Sequence, residues 1–392
     1  MSALVLDNIG LLVTNDPALG EGPLGLVRDA ALIVEGERIV AVEPAGAAAD
    51  ERLDAAGRCV IPGFVDSHTH LVFAGDRANE FAARMAGESY AASGIGVTTA
   101  ATRAASDEQL RSGAGARRAE ALAAGITHLE IKSGYGLDLE NERRCCEIAA
   151  ELTNDVTFLG AHLIPEEYEE KPDAYVELVC GPMLNACAPL CRWIDVFCER
   201  GAFDAEQSRA VLEAGRGAGL GLRVHGNQLG PGPGVRLAVE VGAASVDHCT
   251  FMDDSDLDAL AGSETVATFL PATDFSTRQP YPDARRAIDA GVAVAIATNC
   301  NPGSSNTTSM AFCVALAVRD MGMSTDEALL AATTGGAAAL RRSDVGRLRP
   351  GSRADAVLLS APSYTHLVYR PGVPLVAATL VRGRIVAGGL AG

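Results

Sequence analysis

Five histidines in this sequence stand where they could share one piece of chemistry. Two lie in Pro62-Gly63-Phe64-Val65-Asp66-Ser67-His68-Thr69-His70. On a strand, residues i and i+2 point the same way, so His68 and His70 present their imidazoles side by side. Neutral imidazole is a preferred ligand for zinc and similar ions. One such pair alone also fits a packed or surface pair. Three further histidines each close a short apolar segment: His162 ends Thr157-Phe158-Leu159-Gly160-Ala161-His162, His225 ends Leu222-Arg223-Val224-His225, and His248 ends Ser245-Val246-Asp247-His248. Any one of these could be a hydrogen-bonded core residue. Five of the chain's seven histidines on four such segments, all at the same end, form a candidate site for metal binding and proton transfer. His128 starts its segment and is expected at the opposite end; His366 falls near the C-terminus and reads as structural.

The elements that carry these residues recur along the middle of the chain. Val60–Phe64, Thr127–Ile131, Thr157–Gly160, Ile194–Cys198, Gly221–Val224, Ser245–Asp247, Val266–Leu270 and Ala293–Thr298 are short buried strand candidates. Ala/Glu/Arg-rich helices such as Glu108–Ala124, Leu139–Leu152, Ala205–Ala214 and Thr325–Ala332 fall between or after them. Eight strands alternating with helices predict a (β/α)8 TIM-like barrel over residues 62–345, whose C-terminal mouth holds the strand-end histidines. An open doubly wound sheet is the rival. It normally carries a glycine-rich phosphate loop after its first strand. Gly94-Ile95-Gly96 and Gly230-Pro231-Gly232-Pro233-Gly234 lack that spacing and read as loops. The first 60 residues carry strand-like runs at Ala3–Val5, Leu11–Val13, Ala31–Val34 and Ile39–Val42. The last 45 or so carry Ala356–Leu359, Leu367–Tyr369, Leu375–Val381 and Arg384–Val386, with Gly383 at a hairpin. Neither end makes a comfortable sheet alone, so residues 1–61 and 346–392 are expected to form one composite β-domain, a small sandwich.

Composition narrows the function classes. The chain has 392 residues, 50 acidic against 32 basic, and a net charge of −18. Only Lys132 and Lys171 among the basic residues are lysine. So acidic a chain is a poor match for nucleic acid or for anionic membrane surfaces. The ten cysteines include no Cys-x-x-Cys pair and sit mostly in apolar stretches, as small buried thiols do in a reducing compartment. Without a signal peptide or a long uncharged apolar run, a cytoplasmic enzyme acting on a small molecule is expected, and a homodimer.

At this level of detail the chain resembles the amidohydrolase superfamily: Pro62–His70, His225, Asp247-His248, and Ala297-Thr298 followed by Asn301-Pro302-Gly303-Ser304 carry the likeness. More narrowly it resembles the imidazolonepropionase family of histidine degradation, through His70-Leu71-Val72-Phe73-Ala74-Gly75-Asp76-Arg77 with Glu80-Phe81, Lys132-Ser133-Gly134-Tyr135-Gly136-Leu137, and Gly160-Ala161-His162. The resemblance implies one metal ion per chain, Zn2+ or Fe3+, held by His68, His70, His225 and an acid on the eighth strand. Relatives with two ions bridge them by a carboxylated lysine on strand four; Ile194–Glu199 has no lysine, which argues for a single ion. Lys132 follows strand two and is expected in the wrong place to bridge.

Two positions depart from the family pattern. The eighth-strand aspartate is Asn299 here, which can offer a carbonyl oxygen but cannot take a proton. Either His248 carries the proton transfer or the site is weakened; Asp274 is a substitute only if it folds inward. Gln228 stands where relatives often carry Glu and is expected to contact the substrate. The reaction implied by the resemblance is hydrolysis of the ring amide of 4-imidazolone-5-propanoate to N-formimidoyl-L-glutamate. In it, Arg77 forks the propanoate. Tyr135 and His162 contact the substrate, and Asn301, Gly303 and Ser304 hold its other end. Two alternatives remain: another cyclic amidase or nucleobase deaminase of the superfamily, which has no reason to keep Arg77 with Tyr135, and a non-catalytic metal-binding relative, which Asn299 makes conceivable.

Overall fold

A computed structural model describes residues 3–47, 49–88 and 94–389. The chain divides into two compact units, one comprising residues 1–66, 119–128 and 308–392, the other 67–118 and 129–307.

The first unit is built on a sheet of eight strands. β1 (Ala3–Val13), β2 (Leu26–Glu35), β3 (Arg38–Pro44), β4 (Glu51–Asp54) and β5 (Cys59–Pro62) come from the N-terminal part, and β15 (Ala356–Leu359), β16 (Val376–Val381) and β17 (Arg384–Gly388) from the C-terminal part. Their order is β17-β16-β15-β5-β1-β2-β3, with β4 paired to β1. The two ends of the chain meet where β15 runs antiparallel to β5, Val357 opposite Ile61. Ile39 of β3 and Leu380 of β16, from opposite ends of the order, share one apolar core with Leu6, Leu32 and Leu358, so the sheet folds over on itself.

Three expectations are corrected in this unit. The runs Ala3–Val5 and Leu11–Val13 belong to one strand, which continues past Asn8 through a register shift between Leu6 and Ile9; the left-handed φ of 54° at Asn8 absorbs the irregularity. Val60–Phe64 is two strands, β5 and β6 (Phe64–Asp66), parted at Gly63. A Cβ on Gly63 would lie 2.1 Å from Thr127 Oγ1, so only glycine allows β6 to lie against β7 (Ile126–Leu129). Leu367–Tyr369, read as strand-like, is part of a helical turn, His366–Tyr369. Thr365 N donates to Ser363 Oγ and Tyr369 N to Thr365 O, so local hydroxyl and backbone partners start a turn that Pro371 ends.

The second unit carries β8 (Ile131–Lys132), β9 (Val156–Ala161), β10 (Trp193–Cys198), β11 (Gly221–Gly226), β12 (Ser245–His248), β13 (Val266–Phe269) and β14 (Val294–Ile296), all parallel and in sequence order. β9, β10, β12 and β13 are buried at every position, as strands covered on both faces must be. Residues 67–70 bridge the two edges of this sheet. Thr69 O accepts from Lys132 N at 2.8 Å, while Asn299 N donates to His68 O (3.0 Å) and His70 N to Cys300 O (2.9 Å). The expected curled α/β barrel is thereby formed. Helices between the strands follow ordinary rules. Ala205–Gly217 opens with a reciprocal cap between Asp204 and Gln207 and buries Ser208, Val211, Leu212 and Gly215, an i, i+3, i+4, i+7 stripe. Among the described residues no helix is long and apolar enough to cross a membrane.

Candidate active site

Strand register assembles the site. Phe197 of β10 lies abreast of His225 on β11, and His225 abreast of Asp247 on β12, so side chains at these strand ends converge on one mouth. His68 and His225 have ring centroids 4.5 Å apart, His225 and His248 5.4 Å, and His70 and His162 5.4 Å. His70, Arg77, Tyr135, His162, His225, Gln228, His248, Asn299, Asn301 and Ser304 line one narrow cavity, together with Ile95 and Phe197.

Five charges buried in the barrel interior, given no orienting role in the sequence analysis, stand behind the imidazoles. His68 Nδ1 donates to Asp247 Oδ2 at 2.7 Å and His225 Nδ1 to Asp195 Oδ1 at 3.0 Å. Lys132 Nζ lies 2.7 Å from Asp195, 2.8 Å from Glu130 and 3.6 Å from Asp247, and Arg223 Nη2 reaches Asp247 at 3.1 Å. All five side chains are fully buried. Burial pushes the carboxyl of Asp195 up, but His225 and Lys132 outweigh it and hold the group below the usual range. Arg223, His68 and Lys132 do the same for Asp247. Three acids against two bases leave one net negative charge behind the histidines. Lys132 is therefore no bridging ligand but the centre of an ion-paired network. Its signal was in the sequence: Glu130, Lys132, Asp195, Arg223 and Asp247 are charges inside otherwise apolar segments, and a buried charge must find a partner.

The donor set fits a cation. Burial, with the nearby positive charge of Lys132, pulls His68 well below the usual histidine range, and burial does the same for His70. Because Nδ1 of His68 and of His225 serves a carboxylate, Nε2 is the lone-pair nitrogen on each ring. His68 Nε2 faces His70 Nε2 at 3.2 Å, and His225 Nε2, buried, has no hydrogen-bond partner. Ligand atoms of these three residues lie within 4.8 Å of one another, the one such group among the described residues. Asn299 Nδ2 donates to Thr273 Oγ1 at 2.8 Å, which turns a buried, unpartnered Oδ1 the other way. Three imidazole nitrogens drawn together beside an unpartnered amide oxygen suit a metal cradle in chemical type and spacing. Asp274 is buried but is engaged by Thr250 (2.9 Å) and stands outside that group.

The remaining residues are placed as follows. His248 is buried with its Nδ1 unpartnered, and burial, with His225 beside it, keeps its ring well below the usual range and hence neutral. His162 Nδ1 donates to Gly134 O at 2.8 Å, so its Nε2 is an acceptor; burial lowers it to about 3. Arg77 is buried at the cavity wall. Glu80 takes its Nε (2.9 Å) and Nη2 (2.7 Å), and Nη1 stands over Gly303, where a Cβ would lie 2.1 Å away. Arg84 Nη2 donates to Gly303 O at 2.7 Å. Asn301 is occupied within its own loop. Its Nδ2 serves Asn299 O and Ser304 Oγ, and its Oδ1 accepts from the amides of Gly303 and Ser304. Glu199 Oε1 accepts from Gln228 N at 2.6 Å and fixes the turn that bears Gln228.

The sequence of this chain has full-length relatives. It is 64% identical over 387 residues to an imidazolonepropionase of Salinispora tropica and 64% identical over 388 residues to one of Mycolicibacterium smegmatis, with 98% of each chain covered in both cases. The chain belongs to the imidazolonepropionase family. A Streptomyces coelicolor imidazolonepropionase is 62% identical, over 97% of this chain and 98% of the relative. The model of the amidohydrolase family matches residues 209–386. Solved structures with the same fold include an atrazine chlorohydrolase of Arthrobacter aurescens in complex with zinc (TM-score 0.73, 18% identity, 98% of this chain and 95% of that one). An adenosine deaminase of Xanthomonas campestris with bound zinc also aligns (TM-score 0.72, 18% identity, 98% and 93%). The imidazolonepropionase relatives separate this chain from the deaminase whose barrel it shares.

Proposed function

We infer that the chain hydrolyses the ring amide of 4-imidazolone-5-propanoate to N-formimidoyl-L-glutamate, as an imidazolonepropionase-type hydrolase of cyclic amides. The observation that carries this is full-length identity of up to 64% to imidazolonepropionases. The cavity supports it, since a buried arginine and a phenol share the wall with a histidine cluster, as an anionic heterocycle requires.

We propose that Arg77, aligned by Glu80, receives the propanoate carboxylate through its Nη1 side, and that glycine at 303 is what lets the guanidinium lie so close. His162 Nε2 accepts a ring N–H, and Tyr135 and Gln228 complete the ring contacts. Asn301 shapes the loop that carries Gly303 and Ser304. One cation, Zn2+ or Fe3+, would be held by His68, His70 and His225 with Asn299 Oδ1. When bound, it polarises the carbonyl and makes water acidic enough to attack near neutral pH. His248, neutral in the folded protein, takes the proton that the attacking water gives up and passes it to the ring nitrogen as the C–N bond breaks. Water is thus divided between the new carboxyl and the released nitrogen. The ten cysteines, none of them in a disulfide, support a cytoplasmic placement, and residues 1–61 with 346–392 as one β-domain and 62–345 as a barrel remain our proposed division.

The test is ring opening of imidazolone propionate by the metal-loaded protein, followed beside ammonia release from adenine and cytosine. Turnover of the imidazolone alone is expected. Ammonia release without ring opening overturns the reading, and absence of both makes the chain a non-catalytic relative.

A further inference from the structure

Glu142 has no part in the mechanism above, yet it is fully buried and holds one loop. It lies in the first turn of the helix Leu139–Ala150, capped by Asp138. Its carboxylate accepts from Gly136 N (2.6 Å), Leu137 N (2.9 Å) and Gly134 N (3.1 Å to either oxygen). The loop is bent to allow this. Gly134 has φ +105°, Leu137 has φ 52°, and a Cβ on Gly136 would lie 2.4 Å from Glu142 N. Arg103 ties the outer side, its Nε donating to Gly136 O at 2.7 Å.

The other side of the loop faces the substrate cavity. Tyr135 lines it, with ring centroids 5.8 Å from His70 and 5.4 Å from His162. Gly134 O fixes the tautomer of His162. One carboxylate thus stands behind both the phenol and the acceptor nitrogen.

We propose that ionised Glu142 is the positioning residue that sets Tyr135 and His162 against the substrate, and that protonating it loosens the loop and weakens binding. A carboxylic acid keeps one good acceptor oxygen and adds an O–H, so it cannot receive all three amides. The groups facing Glu142 make this relevant near neutrality. Cys145 and Cys146 lie on its own helix, Cys187 and Cys191 pack on Cys146, Tyr175 faces it from the helix Pro172–Leu178, and Ser133 donates to it. Arg103, paired with Asp138 and Glu167, lies beyond the loop. Burial, with the negative charge of Cys146 as a thiolate, pushes Glu142 up to about 7 against the pull of its hydrogen bonds. Because the folded value lies above the unfolded one, stability from this group is full below the unfolded value and falls as pH rises through about 7. Substrate binding runs the opposite way and improves as pH rises, a divergence that a merely structural role does not produce.

The inference rests on reading this cavity as the substrate site. The experiment measures kcat and KM for imidazolone propionate from pH 6 to 9 on metal-loaded wild type, Glu142→Gln, Tyr135→Phe and the double variant. Glu142→Gln is expected to raise KM roughly tenfold with a smaller change in kcat. It should also flatten the acid limb near neutrality and combine less than multiplicatively with Tyr135→Phe. A KM within about twofold of wild type across the range, or fully multiplicative effects, overturns the inference. If the variant does not fold, or wild type does not turn the compound over, which counts against the site reading instead, hydrogen exchange on the wild-type protein decides. Protection of the 134, 136 and 137 amides must fall between pH 8 and 6 while that of the β9 amides holds; unchanged protection overturns the role of Glu142.

Discussion

Asn299→Asp separates the metal-ligand role of this side chain from every other. Asn299 offers a buried oxygen with no hydrogen-bond partner, and its amide nitrogen is held by Thr273 Oγ1 at 2.8 Å. In the aspartate variant the threonine hydroxyl turns to donate, and a full negative charge joins three neutral imidazoles. For a doubly charged ion at about 4 Å and an effective dielectric near 20, the added attraction is about 8 kcal/mol. Desolvating the carboxylate takes back several kcal/mol. A net gain on the order of 2–4 kcal/mol corresponds to a roughly 30-fold to 1,000-fold rise in the chelator needed to strip half the metal. Without metal the sign reverses. A buried carboxylate beside three lone-pair nitrogens lacks donors, so the metal-free variant should lose about 1–3 kcal/mol and melt several degrees lower. Thermal melts of both proteins, metal-free and metal-loaded, should therefore cross. If both states shift the same way and chelator sensitivity is unchanged, Asn299 does not touch the metal and its assignment falls. On the proposal that His248 carries the proton, kcat at saturating metal should change little.

Arg77→Ala should lower kcat/KM roughly tenfold to a hundredfold, mainly through KM; an unchanged value would show that the propanoate is held elsewhere. His248→Ala should cut kcat by about 10²–10⁴ with metal content unchanged, and a fall in bound metal instead would recast it as a ligand. Burial pushes Asp274 up to about 8 despite the Thr250 hydroxyl. This carboxyl is raised above its unfolded value, so its contribution to stability is full below that value and is lost as pH rises through about 8. Asp274→Asn should be more stable than wild type by at least about 1 kcal/mol at pH 9 and much closer to it at pH 4, by chemical denaturation; equal stability at pH 9 would refute the burial argument.

Much of the site was legible because its signals are local. The His68/His70 pair needs only the two-residue repeat of a strand, and His162, His225 and His248 need only the ends of apolar segments. The rival doubly wound sheet was set aside by the missing phosphate loop. Local signals also misled. Leu367–Tyr369 is apolar and short like a strand, yet Ser363 and Thr365 supply nearby partners that start a helical turn. Val60–Phe64 reads as one strand because the approach of Thr127 to Gly63, 64 residues later in the chain, leaves no local trace.

What the sequence determined by itself was the inventory: alternating strands and helices, imidazoles at strand ends, an amide at residue 299, and an arginine shortly after the histidine pair. Tertiary structure decided how that inventory is used. Asp195 and Asp247 hold Nδ1 of His225 and His68 and leave Nε2 as the lone-pair nitrogen, Lys132 balances Glu130, Asp195 and Asp247, and Glu80 and Gly303 aim Arg77. These pairings join residues far apart in the chain, and an ion pair is fixed by distance in space. Sequence can require that a buried charge find a partner; only the register of the parallel strands determines which partner it meets.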